Sequence, residues 1–305
     1  MKERIRKLEI GWIKWIQAVD LDNEKKLEII KPYNFHELDI EAVLEENQFP
    51  RVNVWDWYLF IILHFPKYIK QTQTYVINEF NIFLWKDYLI SFIDRHSSHV
   101  DKIFDAYKNR EIKEDEKINP WYILYETIQV MLEKMFRVIY NLNKDLKDLE
   151  KEIFDSPTTD QAKTILTKKR NIVLLKHIFK PQVMLLRQLE HEINKFFEWE
   201  YELYFEDLED KIDFVLNQLL ILEERIETIE DAFKNIIDIK LNKLMAFLTI
   251  FSAFMLPLTL ITSFYWMNLI TLPYADKPIV VHSMLIWCTI LMVVWVVILK
   301  KKKLI

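Results

Sequence analysis

The sequence predicts an α+β membrane protein: an N-terminal α/β cytoplasmic domain, a long helical stalk and two C-terminal transmembrane helices. Three observations predict it. From Leu244 to Ala275, 32 residues pass without an Asp, Glu, Lys or Arg, and Pro278 to Leu299 adds 22 more. A bilayer core takes about 20 apolar residues as helix, so each run is long enough to span. Upstream, residues 9–95 carry short β-branched and aromatic runs, and after Ser97 the apolar spacing turns helical.

Residues 1–98 read as a cytoplasmic α/β domain. Its strand-like runs are EIGWIKWIQAV, VWDWYLFIILHF, TYVINEFNIFLW and DYLISFI, with one helix between them at His36 to Glu46. Residues 99–201 form a cytoplasmic helical region of three segments. The loop SPTT makes the first turn, and Pro181 starts or kinks the third segment. From Glu202 no Pro or Gly interrupts the pattern until Pro257. Stalk helix 202–243 and first span 244–266 therefore read as one rod of about 60 residues, or about 90 Å at 1.5 Å per residue. An external loop at 267–278, a second span at 279–299 and a basic tail at 300–305 complete the chain. Lys240 and Lys243 precede the first span and Lys300 to Lys303 follow the second. The positive-inside bias thus puts both termini in the cytoplasm and the protein in the cell membrane, inner or plasma.

Composition excludes several classes. All acids but Asp276, and all bases but Lys277 and the four terminal lysines, fall in the first 243 residues. That part is net acidic, which argues against nucleic acid as a partner and suits cations or basic partners. No cleavable signal peptide is visible behind MKERIRKLEIGWIKW. The single cysteine, Cys288, lies in the second span, so an intrachain disulfide and a thiolate zinc site are both ruled out. Gly11 is the only glycine, so no phosphate-cradling or dinucleotide loop can form, and the chain is not read as an enzyme. His96 and His99 with Asp94 could bind a metal ion, although a solvated connector explains DRHSSHVD as well. HELD and HEIN lack the second histidine of a zincin.

In the first span, Met245, Thr249, Ser252, Leu256, Thr259 and Ser263 step by 4 and 3 in alternation and share one face. Small hydroxyl residues suit either a helix-packing seam or a pore lining. Two spans cannot enclose a pore, so the second reading demands several copies around an axis, with Asn242 at the inner mouth and Asn268 at the outer.

The segment YFEDLEDKI, the stalk into LNKLMAFLTIFSAFMLPLTLITSFYWMN, the short loop, the second span and the terminal lysines resemble the CorA family of divalent cation transporters. The counterparts of that family's first-span pattern are Asn242, Met245, Leu248, Thr249, Pro257, Leu258, Thr259, Tyr265, Met267 and Asn268. The resemblance implies a homopentamer in the lipid bilayer, with first spans lining the pore and second spans outside. It implies a divalent cation, magnesium foremost, as substrate and regulator, and no covalent cofactor. Magnesium dehydrates reluctantly, so a ring of Asn268 amides would select it by hydrogen-bonding its water shell. Met245, Leu248 and Leu256 would form the apolar gate.

The chain also departs from the family. Trp266 stands at the family's glycine, and Tyr274 where an external acid is usual, with Asp276 followed at once by Lys277. Asp207 matches one acid of the family's regulatory ion site, whereas Ala42 stands where its partner is expected, leaving Glu41 or Asp39 to substitute. Asp231 and Asp238 are further candidates on the stalk. Two alternatives stay open: a family member whose conduction is lost or altered through Trp266, and a membrane-anchored coiled-coil interaction protein. Zinc, cobalt and nickel transporters share the fold, so the ion itself is not fixed by sequence.

Overall fold

The structure, a computed structural model, describes residues 4–45, 47–109, 119–196, 202–267 and 277–301. It divides into two compact units, Met1–Glu230 and Asp231–Ile305.

The first unit is built on a six-stranded sheet. Strands β1 (Arg4–Ile10) and β2 (Ile13–Val19) form a hairpin. EIGWIKWIQAV, a single strand-like run by sequence, folds back at Gly11, whose φ of +59° is the left-handed conformation that glycine adopts without strain. Helix α1 (Asn23–Ile30) follows, its first turn capped by Asp22, whose carboxylate accepts from the Lys25 N–H at 2.9 Å. The sequence reading missed this helix, which is only 8 residues long. Helix α2 (Glu37–Leu44) lies where a helix was predicted. Strands β3 (Arg51–Trp55), β4 (Tyr58–Ile69), β5 (Thr74–Leu84) and β6 (Tyr88–Ile93) complete the sheet in the order β1-β2-β6-β5-β4-β3. Only β2 and β6 pair in parallel.

Both faces of the sheet are covered. Helices α1 and α2 close one side over Tyr58, Phe60, Phe83 and Ile90. Helices α3 (Ser98–Lys108), α4 (Pro120–Asp155) and α5 (Thr159–Phe196) pack on the other. Double burial is why YLFIILHF is continuously apolar rather than alternating. Helix α5 does not start or restart at Pro181 but carries it internally. Next to that proline, Gln182 is buried and ties α5 to β4: its Nε2 donates to the carbonyls of His64 and Ile178, both at 2.8 Å, and its Oε1 accepts from the His64 N–H at 2.9 Å. Asn171 does the same for the β4–β5 turn, accepting from the Tyr75 N–H and donating to the Gln73 carbonyl.

Helix α6 (Glu202–Trp266) is 65 residues long. Within the first unit it buries Phe205, Leu208, Ile212, Val215, Leu219, Leu222, Ile226 and Ile229. The strict alternation of 3 and 4 is a coiled-coil seam, and each such side chain contributes about 1.5–3 kcal/mol on burial. The second unit holds the rest of α6 together with α7 (Pro278–Lys301). Here α6 is half-buried at Ala246, Ile250, Ala253, Phe254, Pro257, Leu258 and Ile261, and α7 at Leu285, Cys288, Thr289 and Met292. Among the described residues one helix, α6, is long and apolar enough to cross a membrane, and no residue of its apolar window is fully buried. Helix α7 holds a shorter apolar stretch, His282–Trp295.

Candidate functional site

The stripe on α6 is free in the single chain. Asn242, Thr249, Ser252, Thr259 and Ser263 are exposed, as are Met245, Leu248 and Leu256, each more than 60% accessible. At about 100° per residue the stripe and the half-buried positions of the same helix centre about 140° apart, so the two sets occupy different faces.

Two of the stripe's hydroxyls have their protons fixed. Thr249 Oγ1 donates to the Met245 carbonyl and Thr259 Oγ1 to the Met255 carbonyl, each at 2.8 Å. A hydroxyl locked onto the preceding turn in this way keeps its lone pairs for other partners. What it offers outward is an acceptor, suited to a cation or to the outward-facing hydrogens of a cation's water shell.

At the end of α6, Trp266 is the last helical residue and is 89% exposed. Met267 follows in a tight turn, its N–H reaching the Phe264 carbonyl at 3.4 Å. The side chain of Tyr265 and the whole of Asn268, with Tyr274 and Asp276, lie outside the described residues.

The acids proposed for cation sensing differ sharply from one another. Asp39 is fully buried and accepts from Asn53 Nδ2 at 2.6 Å, Trp55 Nε1 at 2.7 Å and Tyr58 Oη at 2.6 Å. It is a structural carboxylate, which overturns its reading as a substitute ion ligand. Ala42 is buried in the same core, and the exposed acid beside it on α2 is Glu41. Asp207 is partly exposed and already engaged: Tyr125 Oη donates to it at 3.2 Å and Lys211 Nζ at 2.5 Å. Burial, and after it the Asp207 carboxylate, push the Tyr125 phenol up to about 12, so it remains a donor at physiological pH. Asp231, 3.7 Å from Lys234, and Asp238 are exposed.

Among the described residues no three of His, Cys, Asp and Glu are grouped to hold a metal ion. His96 turns to Asp101, at 2.7 Å, which also accepts from Arg4. Asp94 instead follows β6, its N–H bonded to the Glu79 carbonyl. The sequence reading missed Lys211 as a partner of Asp207, although their spacing of four on a helix is the signal that finds it. It also missed Tyr125, for which no local signal exists across 82 residues.

Residues 12–302 match the family described as CorA-like Mg2+ transporter protein. The chain is similar to the cobalt/magnesium transport protein CorA of Thermotoga maritima, at 25% identity over 276 residues that cover 89% of this chain and 77% of the relative. It is also similar to the cobalt/magnesium transport protein CorA of Methanocaldococcus jannaschii, at 22% identity over 275 residues, 87% and 82% of the two chains. The complete structure of the CorA magnesium transporter from that organism superposes with a TM-score of 0.77 at 20% identity, over 94% of this chain and 90% of that one. With the family matched from the first hairpin to the end of α7, and the same fold carrying the exposed α6 stripe, the chain belongs to the CorA-like Mg2+ transporter family.

Proposed function

We propose that the chain is a membrane transporter of divalent cations, magnesium foremost, that assembles as a homopentamer with its α6 stripes around a central pore. Helix α7 forms the outer ring, both termini are cytoplasmic, and Asn268 rings the outer mouth. The observation that carries this reading is the stripe itself: a face left uncovered within one chain, whose Thr249 and Thr259 present only acceptors. Hydrated magnesium presents only donors, so such a face can hold its water shell without stripping it. The relatives' description as cobalt/magnesium transport proteins and their shared fold support the same substrate class.

Flux of magnesium, cobalt, nickel and zinc into proteoliposomes tests it, with mass measurement in mild detergent for the assembly. Selective uptake by the wild type, abolished in Asn268→Ala, is the expected result; a monomer or dimer without flux would sink the reading. Trp266 favours a second one. An indole at the helix end, 89% exposed, that turned toward the axis would close the mouth by size. In that case the wild type conducts nothing while Trp266→Gly conducts magnesium.

A further inference from the structure

A cleft of about 710 Å³ opens on the first unit between α4, α5 and the turn end of β4–β5. Its size falls in the range of small-molecule sites, and nothing in the transport reading uses it. Four lysines line it, Lys134 and Lys144 from α4 and Lys163 and Lys168 from α5, against two acids, Asp145 and Asp148. Lys168 pairs with Asp145. Among the described residues no carboxylate forms a salt bridge with Lys134, Lys144 or Lys163.

Lys134 is the telling one. It is half-buried, and its pKa is lowered by that burial and then by the neighbouring Lys67. The same positive cluster reaches His99, lowered by burial and then by Lys134, Lys102, Arg137 and Lys67. Cations thus gather beside this cleft in a chain that is acidic overall, where an arriving anion would relieve their repulsion.

The other walls narrow the ligand. Tyr68 and Tyr75 face each other in register across β4–β5, ring centroids 5.0 Å apart, and Tyr68 is exposed. They offer an aromatic face. Thr164 and Thr167 donate to the Asp160 and Lys163 carbonyls, so toward the cleft their hydroxyls act as acceptors for a ligand's own hydroxyls. Ammonium groups for phosphates, acceptors for sugar hydroxyls and a ring for a base meet in one cleft. We propose that this cleft binds a nucleoside polyphosphate.

The test is equilibrium dialysis of the full-length protein in detergent micelles, with EDTA present, against ATP, ADP and inorganic triphosphate. Saturable ATP binding is expected, tighter than triphosphate. The double variant Lys134→Gln/Lys163→Gln, whose side chains stay polar but lose the charge, should bind ATP about tenfold more weakly or worse, since bonds to charged groups are lost. Tyr68→Ala should weaken ATP by about fivefold and leave triphosphate unchanged, since only the nucleoside stacks. Absence of saturable binding up to millimolar ATP, or unchanged binding in the double variant with an unaltered elution profile, overturns the proposal. Equal wild-type affinity for triphosphate and ATP overturns its nucleoside part.

Discussion

Asp39 and Leu256 mark the contrast between the two units. In the first, a carboxylate with no solvent exposure is met by three donors from β3 and β4. In the second, a leucine stands 68% exposed, and Trp287 on α7 is exposed to a similar extent. The first unit completes its core from its own chain. The second leaves its apolar surface open, as a helix pair must if lipid and further copies of the chain are to cover it. Self-sufficiency in one region and dependence on surroundings in the other predict that substitutions will report through different measurements.

The largest effect on stability is expected for Asp39→Ala. It strands the buried Tyr58 hydroxyl and the half-buried Asn53 and Trp55 N–H donors, each costing about 1–3 kcal/mol, so the first unit should lose about 3 kcal/mol or more in denaturant unfolding of the detergent-solubilised protein. An unchanged midpoint would mean that this unit is not self-contained. Gln182→Ala should come next, at about 1–3 kcal/mol, because the His64 backbone of β4 loses its partner. Lys211→Gln breaks a part-exposed ion pair and should cost only about 0.5 kcal/mol. Its sharper readout is functional: if Asp207 takes a regulatory divalent cation, freeing its carboxylate from the tethered ammonium should let less cytoplasmic cation suppress flux. Smallest of all in stability is Leu256→Asn, which should leave unfolding of the first unit within about 0.5 kcal/mol of wild type while raising leak flux. If Leu256→Asn instead unfolds the first unit, the division between the two regions fails.

The sequence disclosed some features and concealed others for physical reasons. Charge-free length made the apolar part of α6 plain, because lipid tolerates no alternative. The strands of the doubly covered sheet were visible as runs, but their boundaries were not: EIGWIKWIQAV contains a hairpin whose single mark is Gly11. Helix α1 buries only the adjacent pair Ile29 and Ile30, so it shows no helical period. Pro181 does not begin a helix: Gln182 holds α5 against β4 at that point, a tertiary bond that local propensity does not see. At the candidate site, the stripe was legible from spacing, whereas the burial of Asp39 was not. On α2, Asp39 and Glu41 look interchangeable in sequence, yet one faces the core and the other solvent.

The unbroken run of α6 to Trp266 has a mechanical corollary. Leu248 and Trp266 are eighteen residues apart, which is about five whole turns at 3.6 residues each, so the two side chains leave the helix at the same azimuth. If α6 stripes surround a pore, a small roll of each helix about its own axis would swing the leucine and the indole toward the axis together. Constriction and outer mouth would then behave as two teeth of one key, and a substitution at either would be felt as a change in the angle at which both engage.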